Sequence, residues 1–390
     1  MKQVISEGCR IPIKMWLDDV EESALAQARN LANLPFAYKH VALMPDCHSG
    51  YGMPIGGVLA TEGVVIPNAV GVDIGCGMCA IKTSLTEVSK ETIKQVMSEI
   101  RQRVPLGFDH QTNAQEESLM PSLEPVPTNG VVARQYIAAR KQIGTLGGGN
   151  HFIEIQKGSD SHIWVMIHSG SRNIGLKVAD HYNRIAKALN ERWYSSVDIK
   201  HDLAYLPIES NEAKDYFAEM KYCVDFALAN RKLMMQNIMG AFEMVVGNTF
   251  SEVEFINIAH NYARWENHFG KNVIVHRKGA TSAKEGEIGI IPGSQGTKSY
   301  IVKGKGNPES FESCSHGAGR KMGRKQAQKQ LNLENEIAML NQKGIVHGIR
   351  SIKDLDEAPG AYKSIDIVMA NQKELVDIIV ELTPLAVIKG

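Results

Sequence analysis

Residues 151–172 read HFIEIQKGSDSHIWVMIHSGSR. Two short apolar runs, HFIEI at 151–155 and HIWVMIH at 162–168, read as strands, the first opening and the second closing on a histidine. A helical region follows over about 173–245, in which Phe217, Met220, Val224, Leu228 and Met235 keep one stripe, assigned to core packing. Strand signals lie on both sides of that block. Upstream they fall at 40–44, 57–60 and 63–66; downstream they are EFINI, NVIVH, EIGII and SYIVK, between 253 and 305. Further helical patterns cover 85–104, 130–142, 318–344 and 364–381. No regular strand–helix–strand alternation occurs. The expected fold is therefore α+β: a single large domain over 1–390, with central β-sheets flanked by helices and a helical insertion at about 173–245.

The 390 residues balance 43 Lys and Arg against 43 Asp and Glu, so the formal net charge is zero. Broad attraction to nucleic acid is not indicated, although a local basic groove remains compatible with that balance. No apolar stretch reaches the roughly 18 residues needed to span a bilayer, and the start MKQVISEGCRIPIKMW lacks the apolar core of a signal peptide. A cytoplasmic, enzyme-like chain without a membrane partner is expected. Six scattered cysteines, at 9, 47, 76, 79, 223 and 314, do not form a disulfide scaffold, so a special cysteine would be a ligand or a nucleophile.

Polar clusters sit beside glycines or strand ends. In GVDIGCGM, residues 71–78, the glycines permit a tight reversal on which Asp73 and Cys76 could meet. Either the turn is exposed and the cysteine incidental, or the pair binds a divalent transition metal. Cys79 completes a Cys-x-x-Cys pair, but no second pair exists for a four-thiolate zinc site. His151, His168 and His260 each lie at a strand end. Singly, each reads as a satisfied structural histidine. Together with Asp73 and Cys76 they offer five donors, more than a mononuclear tetrahedral site needs, and a two-metal site with a bridging cysteine would use them. Two metals suit phosphoryl or nucleotidyl transfer. GTLGGGNHF and HSGSR could cradle an oxyanion, although no P-loop or dinucleotide fingerprint is present. His316, in SCSHGAGR, has small neighbours that leave its ring accessible for attack on phosphorus, or it merely starts a helix.

The motifs PDCHSGYGMPIGG, IPNAVGVDIGCGM, GTLGGGNHFIEI, HSGSR, HNYA, RKGATSA, GIIPGSQGTKSYIV, SCSHGAGR, AYKSIDIVM and VIKG, in this order from about residue 10 onward, resemble the RtcB-type RNA ligases. The resemblance implies a GTP- and manganese-dependent enzyme joining RNA with a 3′-phosphate or 2′,3′-cyclic phosphate to RNA with a 5′-hydroxyl. It implies sheets that line the active site and two Mn²⁺ ions held by Asp73, Cys76, His151, His168 and His260. It implies that His316 becomes guanylylated, with Asp46 near the reacting phosphates. Asn150, Glu154, Ser294, Ser299, Ala318, Gly319, Tyr362 and Lys389 match nucleotide contacts. From the residues alone, zinc would have been preferred. Cys47 and Asn173 stand where many relatives carry Val and Gly, and with the neutral charge they resemble a paralogous bacterial subgroup. A monomer is expected, with Lys278, Arg320 and Arg324 as basic-groove candidates. Two other readings use the same site: an RNA cyclic phosphodiesterase or phosphatase, and a non-catalytic RNA-binding paralog. A lysine-adenylating ligase is disfavoured because no Asp-Gly dipeptide occurs.

Overall fold

The computed structural model describes residues 1–247 and 250–390. Among these residues, thirteen strands fall into two main sheets. A six-stranded sheet runs, edge to edge, Gln3–Ile5, Ile13–Met15, Ala37–His48, Ile55–Thr61, Lys271–Lys278 and Asn261–His268. A seven-stranded sheet runs Glu252–Ala259, Gly77–Thr83, Ile163–Ser169, Phe152–Gly158, Val376–Lys389, Ser299–Gly304 and Ile288–Ile291. Within the two, Ile13–Met15 and Ala37–His48 pair in parallel and the other neighbours are antiparallel. The α+β expectation holds, because connections between antiparallel neighbours need no crossover helix. The chain passes from one sheet to the other at His260, between the edge strands Glu252–Ala259 and Asn261–His268.

Helix Asn211–Val246 lies across the seven-stranded sheet. Met234, Met235, Ile238 and Phe242 pack on Cys79, Ile81, Val165 and Ile167, so the helix closes the main core. Met220 and Met235 of the anticipated stripe are buried, but Phe217, Val224 and Leu228 are half-buried along a groove beside Tyr262 and Trp265. The anticipated 173–245 block is two helices, Arg172–Arg192 and Asn211–Val246; between them Leu206–Pro207 pairs with Val64–Val65.

Three other segments differ from the sequence reading, the first being 318–344, which holds two short helices, Arg324–Gln330 and Leu333–Gln342. The 364–381 helix stops at Asn371, and Val376–Lys389 is a strand. Leu375, Ile379 and Leu382 mimic helical spacing, yet the β-branched run Val376, Ile378, Ile379, Val380 suits a pleated surface better. Strand Asn261–His268 was missed because its apolar positions alternate with Asn, Arg and Glu at a sheet edge.

Arg231, fully buried on the long helix, braces the layer beneath the site. Its guanidinium donates to the carbonyls of Gly75 (3.0 Å), Ser169 (2.8 Å) and Ile258 (3.1 Å) and to Asn257 Oδ1 (2.8 Å). Arg231→Leu would leave those acceptors buried without donors, each at about 1–3 kcal/mol. The expected loss is about 3 kcal/mol or more, read as a lowered midpoint in urea titration.

Candidate active site

Four neighbouring strands of the seven-stranded sheet, in the order Glu252–Ala259, Gly77–Thr83, Ile163–Ser169 and Phe152–Gly158, alternate in direction. Two of them therefore begin, and two end, at the same rim. Cys76 precedes the second, His151 precedes the fourth, His168 is the penultimate residue of the third, and His260 follows the first. The register fixes the gathering: Met78 opposes His168, Phe152 opposes His168, and Ala259 opposes Gly77. At Gly77 a Cβ would fall 2.0 Å from the Ile258 carbonyl oxygen, so only glycine lets these two strands approach. Asp73 comes from the turn before Cys76.

Cys76 Sγ lies 3.2 Å from His168 Nε2 and 3.6 Å from His151 Nε2. His168 Nε2 faces His260 Nε2 at 3.4 Å, and Asp73 Oδ2 lies 3.2 Å from His151 Nε2. His151 Nδ1–H donates to the Leu146 carbonyl (3.0 Å) and His168 Nδ1–H to that of Asn150 (3.1 Å). Those bonds place the ring protons on Nδ1 and leave the Nε2 lone pairs converging on the sulfur. Burial, and then neighbouring imidazoles, hold His168 and His260 well below the usual histidine range, so both are neutral donors. Burial, and then the Asp73 carboxylate, push the Cys76 thiol well up. Imidazole lone pairs and a carboxylate crowded around one thiol proton suit a cation that would take that proton's place. The donors fall into two groups, Cys76–His168–His260 and Asp73–Cys76–His151, and Cys76 belongs to both. The residues thus fit a divalent transition-metal site, with Cys76 the residue common to both groups.

His316 follows the strand Ser313–Ser315 and lies across from the donors, its ring centroid 4.8 Å from that of His260. Its Nδ1 lies 2.6 Å from Oδ2 of Asp46, a fully buried residue on Ala37–His48. The same oxygen accepts from the backbone N–H of His316 (3.1 Å) and Gly317 (3.3 Å). Burial works to raise the Asp46 pKa, but the His316 ring and its hydrogen bond hold it below the ordinary carboxylate value. Gly319 (φ +74°) brings its backbone against Asp46, where a Cβ would meet the carbonyl oxygen at 2.3 Å.

Asn150, Glu154, Ser294, Ala318, Gly319, Tyr362 and Lys389 all line a cavity of about 200 Å³ that includes His316 and His168. Ser299 is buried instead, and accepts from the Gly293 N–H (3.1 Å), shaping the Gly293–Ser294 turn from beneath. Burial raises the Glu154 pKa to about 8, against opposing pulls from Gln156 and Lys389, so at neutral pH its carboxyl is mostly protonated and able to donate. Glu357 was not singled out from sequence. It is buried, and its carboxylate gathers Arg320 (3.0 Å), Arg324 (3.1 Å), Lys389 (3.7 Å) and the Tyr362 hydroxyl. Nothing in DLDEAPGAYK separates it from its acidic neighbours. Arg320 and Arg324 do border the cavity, but Lys278 is buried and donates to the carbonyls of Tyr51 (2.5 Å) and Asn68 (3.1 Å), a structural role rather than a groove cation.

The family model described as tRNA-splicing ligase RtcB matches residues 27–133 and 113–390. An RNA-splicing ligase RtcB of Escherichia coli (strain K12) is 39% identical over 405 residues, covering 97% of each chain. A tRNA-splicing ligase RtcB of Thermococcus kodakarensis is 32% identical over 462 residues, covering 98% of this chain and 95% of its own. That of Nanoarchaeum equitans is 33% identical over 468 residues, covering 100% and 97%. With matches running through the Asp73, Cys76, His151, His168, His260 and His316 motifs and across nearly the whole length, the chain belongs to the RtcB family of ligases.

Proposed function

We propose that this enzyme uses GTP and Mn²⁺ to join RNA ending in a 3′-phosphate or 2′,3′-cyclic phosphate to RNA beginning with a 5′-hydroxyl. The observation that carries the reading is the Asp46–His316 pair, set against five converging metal donors in one cavity. Asp46 accepts the Nδ1 proton of His316 and orients the ring, which leaves the Nε2 lone pair as nucleophile. Nε2 forms a bond to the α-phosphorus of GTP, the bond to pyrophosphate breaks, and guanylate remains on the histidine. Water first opens a 2′,3′-cyclic end, breaking the P–O2′ bond to leave a 3′-phosphate; the RNA 3′-phosphate then displaces the imidazole, and the activated end takes the 5′-hydroxyl with release of GMP. Manganese held by Asp73, Cys76, His151, His168 and His260 would stabilise charge on the phosphoryl oxygens. Asn150, Glu154, Ser294, Ala318, Gly319, Tyr362 and Lys389 hold the nucleotide. Arg320 and Arg324, already gathered at the cavity by Glu357, add positive charge toward its phosphates.

The direct test is incubation with α-labelled GTP, Mn²⁺ and an RNA pair carrying 3′-phosphate and 5′-hydroxyl ends. A labelled protein band that is acid-labile, as a phosphoramidate is, together with a joined RNA supports the reading. Given an RNA with a 2′,3′-cyclic phosphate in place of the 3′-phosphate, a cyclic phosphodiesterase would open the ring without either product. Asp46→Asn keeps the shape but weakens acceptance of the ring proton, so the rate of adduct formation is expected to fall about 10²- to 10⁴-fold, measured by quenched-flow labelling.

A further inference from the structure

Beyond the nucleotide cavity the surface continues as two further clefts. The cavity shares Gln295, Glu357 and Lys389 with a cleft of about 280 Å³ whose other charged walls are Arg101, Asp354 and Asp356. The turn at 347–350 then leads into a cleft of about 380 Å³ walled by Lys90, Lys94, His347 and Arg350.

The charge is one-sided in the outer cleft, whereas the middle one mixes acids with Arg101 and Lys389. Lys90 and Lys94 occupy the first turns of helix Lys90–Arg103, whose N-terminus is capped by the Ser89 hydroxyl accepting from the Thr92 N–H (3.1 Å). Arg101, on the same helix, faces Arg350 as a like charge. Burial, and then Arg350 and Lys90, hold His347 below its usual pKa. Glu91 is exposed and pairs with Lys94 at 2.9 Å, while Asp354 is engaged by the backbone N–H groups of Arg350 and Ser351 (2.8 Å each). Among the described residues, no carboxylate walls the outer cleft. The chain as a whole is neutral, so the patch does not come from general basicity. A second observation points to a ligand: His347 is 6% exposed, and its buried Nδ1 has no partner among the described residues. Lys90, Lys94 and Arg350 thus present cations to a cleft in which no acid among the described residues competes for a phosphate oxygen.

We propose that the cleft between helix Lys90–Arg103 and the 347–350 turn holds the phosphodiester backbone of the single-stranded RNA whose end reacts at His316. This rests on the RNA-ligase reading and extends it to a surface outside the reacting groups. Continuity with the cavity through Lys389 favours RNA over an isolated small anion.

The test is binding of a fluorescein-labelled, 3′-phosphorylated oligoribonucleotide by anisotropy over a salt series, with Lys90→Ala/Lys94→Ala/Arg350→Ala beside the parent protein. Each lost phosphate contact removes about 0.7 from the slope of log affinity against log salt. The triple variant should therefore bind at least about tenfold more weakly, with a slope lower by about two. Covalent GMP formation from GTP alone should be unchanged. Unaltered affinity and slope in a variant that melts like the parent would overturn the proposal. So would displacement of the labelled RNA by millimolar inorganic phosphate. Should the triple variant misfold, Arg350→Ala alone must lower the slope, and a parental slope counts against the site. If the parent forms no GMP adduct while the variant still loses RNA, the ligase reading fails and this surface stands.

Discussion

His316→Ala yields no labelled protein band with GTP and Mn²⁺, and its ligation rate drops by at least about 10⁴-fold, the scale seen when a nucleophile is removed. The ring is the one imidazole of the cavity whose Nδ1 meets a carboxylate anchored by two further N–H groups. Nε2 is thereby left to carry the lone pair that the proposed attack requires. The fold should survive, because the side chain is partly exposed in the cavity and the Asp46 carboxylate keeps the backbone donors of residues 316 and 317. A variant that melts normally, binds metal normally and still forms a covalent GMP adduct would remove His316 from the proposed role.

Cys76→Ala is expected to lose bound metal and all three activities together: adduct formation, end activation and joining. Cys76 is the donor shared by both groups, so its removal leaves two incomplete sets rather than one. Affinity for Mn²⁺ should weaken by at least about 100-fold, the upper range for disturbing even the supporting groups of a metal site. Calorimetric titration together with metal analysis after dialysis checks this. A variant that retained two equivalents of metal would show that the sulfur does not bridge. Unlike that of His316→Ala, the loss should be partly recovered at high Mn²⁺, because each incomplete set keeps two of its donors.

Much of this was legible in the residues. The strand pair around 151–168, the α+β class and the histidines at strand ends follow from period and punctuation. Glycines in GVDIGCGM and SCSHGAGR mark where backbone must come close, and the structure shows that approach at Gly77 and Gly319. What spacing alone does not carry is convergence. Cys76 and His260 are far apart in sequence and meet because two antiparallel neighbours, one ending and one beginning, share a rim. Glu357 was hidden because its importance lies in four partners from three separate segments. Lys278 misled because a lysine buried onto two carbonyls looks, in sequence, like any other lysine beside an arginine.

The reacting centre draws its rigidity from two frameworks. The proposed metal donors hang on the seven-stranded sheet, braced below by Arg231, whereas Asp46 belongs to the six-stranded sheet and His316 leans on it. Damage should consequently sort into two separable phenotypes. Lesions in the first framework would strip the protein of its ions, and lesions in the second would leave a metal-replete protein unable to take up guanylate. A selection that scores metal content and self-labelling independently would map the border between the frameworks, which should run through His260, the residue at which the chain steps from one to the other.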